Sequence, residues 1–350
     1  MPNVREEHVV NAQAGREPTW GGKSPLLGRG DILARADALF TSCREGSGSL
    51  LWIHGDAGIG KTRVLSEVAA RSPEAVVLRG TGWEDPGTPS FWVWSQVLRG
   101  VASVHPPDQW GDRGRLAVPL LDGSADARTE VPGRFPLFDA VTAVIDDLSR
   151  TRPVVLLLDD VHWVDEDSLR MLHFLTADLQ SRAVLVVCGW RDHEALVGQR
   201  QGLADQIAAR GESWLLDGLV EHDVSTLLQS TTGRPPDEAE TRAVHERTGG
   251  NPLFVSEMAR LAAARGVSSV ASILPESAHA TIRRRVARLA QPADAALGAA
   301  AVLGASLSIT RLGALLHTSP VELAALVDEL ADAGLVTQDG DNLDFTHAVV

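Results

Sequence analysis

The chain changes rhythm twice when it is read as apolar and polar positions. Between about residues 49 and 217, short continuous apolar runs alternate with stretches of helical period. The runs are 49–54 (SLLWIH), 75–79 (AVVLR), 153–158 (PVVLLL), 183–190 (AVLVVCGW) and 213–217 (SWLLD). Each has strand length and little polar alternation, as expected of strands buried on both faces of a parallel sheet. Helical patterns fill the gaps at 61–71, 89–103, 135–150 and 167–181. Strand–helix alternation predicts a doubly wound α/β core over 25–220. Residues 105–134, rich in Pro, Gly and Asp, predict a long surface loop. Residues 1–24, with Pro18 and Gly21-Gly22, read as a flexible tail.

After about Leu219 the strand signals stop. Helical patterns at 221–231, 236–248 and 252–265 are broken at Gly233-Arg234-Pro235-Pro236 and at Gly249-Gly250-Asn251-Pro252. They predict a separate helical unit over 221–270. A small-residue stretch at 267–275 leads into a third unit, 271–350, with helices near 277–290, 293–303, 309–317 and 319–333. Ser319, Pro320 and Glu322 supply an N-cap, a proline at the first helical position and an acid at the third. Asp339-Gly340 and Asp341-Asn342 between extended runs signal a β-hairpin at 335–347. Helices followed by a hairpin are in winged-helix order. The apolar pattern is still running at Ala348-Val349-Val350, so a longer parent chain is expected.

The strongest chemical signal sits between the first apolar run and the helix after it. Gly55-Asp56-Ala57-Gly58-Ile59-Gly60-Lys61-Thr62 has the spacing G-x-x-x-x-G-K-[ST] in strand–loop–helix context. Glycines let such a loop turn its N–H groups toward phosphate, and the helix N-terminus adds a favourable dipole. Lys61 is placed to bridge phosphates and the Thr62 hydroxyl to bind Mg²⁺; Arg63 follows on the same helix. The run 154–158 ends in Asp159 and Asp160, at the strand edge where ligands bind in α/β sheets. Asp159 is the expected Mg²⁺ carboxylate and Asp160 the group that orients the attacking water. Arg191, after the next run, is a cation able to sense a terminal phosphate.

Composition narrows the picture. The 350 residues carry 32 basic and 46 acidic side chains, for a net charge of −14. Such a chain is repelled by phosphate backbones unless it has a local basic patch. Residues 271–350 hold nine acids against five arginines. The predicted helix 319–333 buries Leu323, Leu326, Val327 and Leu330, and its remaining face offers Glu322, Asp328, Glu329 and Asp332. Such a helix is expelled from a major groove, so the unit reads as a clamp on the nucleotide. Arg283-Arg284-Arg285 reads as a helix stretch that is solvated or faces the helical unit 221–270. Only two lysines occur, Lys23 and Lys61, so the single lysine of the predicted folded part lies in the phosphate loop. Two cysteines cannot form a disulfide framework or a four-cysteine zinc site. There is no apolar run of membrane-spanning length and no secretory signal, which places the chain in the cytoplasm. Trp83, Phe91, Trp92 and Trp94 read as residues that pack the loop and helix onto the sheet, with a surface for a partner or ligand as the alternative, and His162 and Trp163 read as packing beside the site.

Leu27-Gly28-Arg29, the phosphate loop, LLLDDVHWVD at 156–165, GWRD at 189–192 and TGGNPLFVSEM at 248–258 occur in an order similar to the AAA-type ATPase module of STAND signalling NTPases. The likeness extends over about 25–350, and is greatest to large ATP-binding regulators of the LuxR type. The resemblance implies a P-loop NTPase followed by an α-helical lid and a winged helix. It implies that Leu27, Gly28 and Arg29 face the adenine side, that Arg191 is the first sensor, and that Pro252 packs on the adenine. It implies that His347 contacts the β-phosphate of ADP and locks a resting state. Asp160 stands where many AAA+ motors carry Glu, which implies slow hydrolysis, as in a timer. The expected activity is an ATP-driven switch, weak as an ATPase, using ATP/ADP and Mg²⁺. An unidentified effector and nucleotide-dependent self-assembly are expected, with DNA reached only through chain beyond Val350. Two alternatives remain at this point: a P-loop kinase or transferase, and an origin-recognition-like ATPase that binds DNA through its winged helix.

Overall fold

The computed structural model describes residues 26–83, 87–122, 134–192, 199–265, 269–272, 286–287, 289–303, 306–333, 335–339 and 342–345. Its core is a five-stranded parallel sheet of β1 (Ser49–His54), β2 (Val76–Thr81), β3 (Val154–Asp159), β4 (Val184–Trp190) and β5 (Glu212–Leu215), in the order β2-β3-β4-β1-β5. Side chains alternate across a strand, so each strand feeds two cores. Leu51, Ile53, Val155, Leu157, Leu185 and Val187 face one side, against α1 (Gly30–Arg44) and α2 (Lys61–Ala70). Leu50, Trp52, Leu156, Leu158, Val186 and Cys188 face the other. There they meet α3 (Trp92–Val104), α4 (Arg134–Ser149), α5 (Glu166–Leu175) and α6 (Gln199–Ala208). The central strands β3 and β4 are apolar and buried almost throughout because neither face sees water; the edge strands β2 and β5 depart from the expected two-sided burial, with Arg79 exposed and Leu215 48% exposed.

The strand order places the site. From β1 the chain crosses to β2 at one edge; from β4 it passes over β1 to β5 at the other. The direction of winding reverses at β1, and a crevice opens at the carboxyl ends of the strands, where ligands bind in sheets of this type.

Several expectations need correction. Residues 107–122 are not a bare loop but a series of short helical turns. They bury Trp110, Ala117 and Leu120, and the Trp110 indole donates to the His105 carbonyl at 2.7 Å. The apolar anchors are too widely spaced to show a period. The predicted helix 167–181 ends at Leu175; a tighter turn continues to Ser181 through a non-helical Asp178. Helix α1 was not expected, and no capping side chain announces it, since Arg29 stands at its N-cap without bonding there. Helix α6 escaped notice because only Ala204 and Ile207 of it are fully buried.

Residues 221–265 form α7 (Glu221–Thr232), α8 (Glu238–Thr248) and α9 (Pro252–Arg265) around Val224, Leu228, Val244, Val255 and Met258. Leu219 and Leu27 pack into the same cluster. The turn between α8 and α9 lies directly on the strand exit: Leu219 N–H donates to the Gly250 carbonyl at 2.8 Å. A Cβ on Gly218 would stand 1.8 Å from the Gly249 carbonyl oxygen.

The last unit runs α10 (Gln291–Leu303), β6 (Ser306–Ser308), α11 (Ile309–Leu316), α12 (Pro320–Asp332), β7 (Val336–Asp339) and β8 (Asn342–Phe345). The hairpin is joined by β6 into an antiparallel sheet in the order β6-β8-β7, a third strand the sequence pattern did not show. Ser319 and Glu322 make the reciprocal cap at the start of α12. Glu329, partly exposed on α12, accepts from Ala290 N–H at 2.8 Å. Most of the predicted helix 277–290, including Arg283-Arg284-Arg285, lies outside the described residues, as does the 1–24 tail. No helix among the described residues is long and apolar enough to cross a membrane.

Leu156 is fully buried in the central strand β3. Leu156→Ala should lower the unfolding free energy by about 2–5 kcal/mol, measured by urea denaturation. A loss below about 1 kcal/mol would contradict the two-sided burial of β3.

Candidate functional site

Residues 55–60 connect β1 to α2. Gly58 (φ +78°) and Gly60 (φ +106°) take left-handed backbone, which side chains resist. A Cβ on Gly58 would also come 2.7 Å from Leu253 in α9. The carbonyl oxygens of this loop are held by side chains from three places. The Lys61 ammonium donates to Gly55 at 2.7 Å and Asp56 at 2.8 Å. Arg29 donates to Ile59 at 3.1 Å and, on the far side, to the Asp217 carbonyl at 2.8 Å. Asn251 donates through Nδ2 to Ala57 at 3.0 Å. Ile59 and Lys61 are buried, while Thr62 is exposed at the mouth and Arg63, next on α2, is half-buried.

The ends of β3 and β4 complete the site. The Thr62 hydroxyl donates to Asp159 Oδ2 at 2.6 Å. Gly189 on the neighbouring strand leaves room for that carboxylate, since a Cβ there would lie 2.6 Å from Asp159 Oδ1. Asp160 adopts left-handed backbone (φ +49°), a conformation that costs a non-glycine residue about 1–3 kcal/mol and that Asp tolerates better than most. Its Oδ1 lies 3.5 Å from Arg191 Nε and 3.8 Å from His162 Nε2. His162 is fully buried against Trp163 and Trp190. The segment after Asp160 is braced from both sides. Arg200 in α6 donates to the carbonyls of His162 and Val164, each at 2.8 Å. Asp165 caps α5 through Ser168 N–H at 3.0 Å and also accepts from Phe91 N–H at 3.1 Å.

The predicted residues thus divide. Gly55 to Thr62, Asp159, Asp160 and Arg191 come together at one sheet edge. Leu27, Gly28 and Arg29 lie where the loop meets the helical unit: Leu27 packs into the core of that unit, and Gly28 abuts Asp223 and Leu219. Pro252 opens α9 between two residues that reach the loop, Asn251 and Leu253. His347 lies outside the described residues. Phe91 and Trp94 are buried as packing residues, Trp92 is half-buried under Arg99, and Trp83 is 62% exposed, contrary to a packing role. The pattern missed two contacts. His54, at the end of β1, pairs with Asp192 at 2.9 Å, and Asn251 sits in a motif read only for its proline.

The donor set suits a hard divalent cation with few protein ligands: one hydroxyl and one carboxylate oxygen, 2.6 Å apart. The loop suits an anion, because it already encloses a buried ammonium that donates to two backbone carbonyls, Gly55 and Asp56.

Residues 25–187 match the AAA ATPase domain. An uncharacterized protein of Rhizobium meliloti (strain 1021) is 25% identical over 353 residues, covering 90% of this chain and 33% of that protein. The chain therefore spans about a third of the length of this curated relative. Two solved structures share the fold. The Walker-type ATPase of Pyrococcus abyssi aligns at 13% identity and a TM-score of 0.58, over 90% of this chain and 93% of that one. The ORC2 protein of Aeropyrum pernix, in its ADPNP–ADP complexes, aligns at 15% identity and a TM-score of 0.58, over 93% and 91%. Residues 25–187 thus carry the sequence pattern of an AAA ATPase domain, on an α/β core that shares its fold with these two structures.

Burial, and then the nearby Arg191 guanidinium, push the Lys61 ammonium down to about 8 from 10.5; Asp160, Asp159 and Asp192 pull the other way. The folded value lies below the unfolded one, so a charged Lys61 destabilises the ligand-free fold. That penalty is complete below pH 8 and is relieved as pH rises from about 8 to about 10.5. Relative to Lys61→Met, the wild type should gain up to about 3 kcal/mol across this window, read from denaturation midpoints. Taking the difference removes the thiols of Cys43 and Cys188, whose burial acts with the opposite sign. A difference that stays flat from pH 7.5 to 10.5 would show that Lys61 is neither desolvated nor crowded by Arg191.

Proposed function

We propose that this P-loop ATPase core operates as a slow, ATP-dependent signalling switch of the STAND kind. In this reading it is the regulatory ATPase part of a LuxR-type transcriptional regulator. Residues 25–220 bind nucleotide, 221–270 act as a lid, and 271–350 are a winged helix that clamps the resting state. One observation carries the proposal: Lys61, Thr62, Asp159, Asp160 and Arg191 converge on a single sheet edge beneath a glycine loop that touches the helical unit.

Each residue has a task the geometry supports. Loop N–H groups and the start of α2 receive phosphate oxygens. Lys61 exchanges its two carbonyl partners for phosphate, which offsets the burial that depresses its basicity. Thr62 and Asp159 hold Mg²⁺, which supplies charge neutralisation at the phosphates when bound. Asp160 orients water, and the ion pair with Arg191 restrains it until Arg191 has a phosphate to meet. A short carboxylate restrained in this way suits a timer more than a motor. Nucleotide contacts that differ between ATP and ADP are what a two-state switch requires. The signal, in this proposal, comes from an effector that acts on the lid or the clamp, and ATP permits self-assembly. DNA contact is assigned away from α12, whose exposed positions include Glu322 and Asp328.

Lys61→Ala should abolish measurable ATP and ADP binding in calorimetry while circular dichroism stays unchanged. Wild-type affinity in that variant would refute the site. Asp160→Asn should keep nucleotide binding and lose turnover by about 100-fold or more, followed as phosphate release. Retained turnover would remove Asp160 from the chemistry.

A further inference from the structure

The side chains that hold the phosphate loop belong to different parts of the chain. Lys61 is a loop residue, and Arg29 lies in the segment before α1. Asn251 comes from the helical unit, 194 positions away from the carbonyl it holds. It is 3% exposed. Its Nδ2 donates to the Ala57 carbonyl at 3.0 Å and its Oδ1 accepts from Leu253 N–H at 3.1 Å. Its own carbonyl accepts from Val255 N–H at 3.0 Å, which opens α9. A carbonyl can only accept and a backbone N–H only donate, so these two partners fix which way round the amide lies. Alongside, Leu253 occupies the space a Cβ on Gly58 would need. One side chain therefore caps a helix of the lid and grips the loop.

We infer that Asn251 is a positioning residue that couples the helical unit to the phosphate loop and so sets nucleotide affinity. The inference rests on residues 55–62 being the phosphate loop. The peptide between Ala57 and Gly58 is planar, so holding the Ala57 oxygen turns the Gly58 N–H to the opposite side. Backbone N–H groups are what such a loop offers to phosphate. A peptide already held in one orientation loses less freedom when phosphate arrives. The coupling is reciprocal: if a docked α9 favours the phosphate-ready loop, phosphate in the loop favours a docked α9. Asn251 thus gives the lid a direct contact with the loop, beside any contact through the base.

The test uses the full chain and three variants. Asn251→Ser keeps a hydroxyl to cap α9 but has no amide to reach Ala57. Thr248→Val is the control. It removes a hydroxyl that donates to Val244 at 2.7 Å and accepts from Gly250 N–H at 3.2 Å, loosening the same turn without touching the loop. Calorimetry gives the ADP and ATP affinities, and hydrogen exchange gives the protection of α9 that ADP confers. Asn251→Ser should raise both dissociation constants about tenfold and abolish the ADP-dependent protection of α9. Thr248→Val should lower the melting temperature yet keep both properties. Wild-type affinity and protection in Asn251→Ser would overturn the inference, and so would equal losses in Thr248→Val. Lys61→Ala separates the two levels. If it binds nucleotide normally, the phosphate-loop assignment falls; if it loses binding while Asn251→Ser keeps it, only the role of Asn251 falls.

Discussion

Carbonyl oxygens of Gly55, Asp56, Ala57 and Ile59 all need donors in a loop whose glycines hold it out of regular structure. Lys61, Asn251 and Arg29 supply them. A buried peptide group without a partner is costly, so the shape of the loop depends on these side chains, two of which, Arg29 and Asn251, come from outside it. The other parts of the site follow from this constraint. Arg29 also holds the Asp217 carbonyl, and Asn251 also caps α9. The loop is therefore the point where the sheet, the segment before α1 and the helical unit meet.

The reactive edge depends on sheet order. Parallel pairing of β3 with β4 places Asp159 and Gly189 side by side, and the missing side chain at Gly189 makes room for the carboxylate. Asp160, one residue further, takes left-handed backbone and leans toward Arg191 and the buried His162. Arg200 and Asp165 then immobilise the chain that follows, from α6 on one side and from the α3 entrance on the other. Strain at one residue persists because its neighbours are over-determined.

The likeness to the Pyrococcus abyssi and Aeropyrum pernix structures at 13–15% identity concerns fold alone. What distinguishes this chain lies in its side chains. Its last unit carries acids at exposed positions of α12, and Glu329 on the same helix accepts from Ala290 N–H at the surface. An electrostatic surface of that sign disfavours phosphate backbones.

Strand identity, the phosphate loop and the Asp159-Asp160 end were legible because they depend on short-range rules. Two-sided burial writes a continuous apolar run, and phosphate chemistry demands glycine, lysine and a hydroxyl at fixed spacing. Helix α12 was legible to its cap for the same reason, since Ser319 and Glu322 bond within one turn. The helical turns at 107–122, the third strand of the last sheet and helix α1 were not, because their burial comes from distant partners and leaves no local period. The contact of Asn251 with the Ala57 carbonyl was hidden in the same way. Its neighbours in sequence show a helix cap, but the Ala57 carbonyl comes within reach only after the α/β core and the helical unit have packed. Local chemistry along the chain determined the loop and the carboxylates at the strand end; tertiary contacts between residues far apart in sequence decided how the helical unit is joined to them.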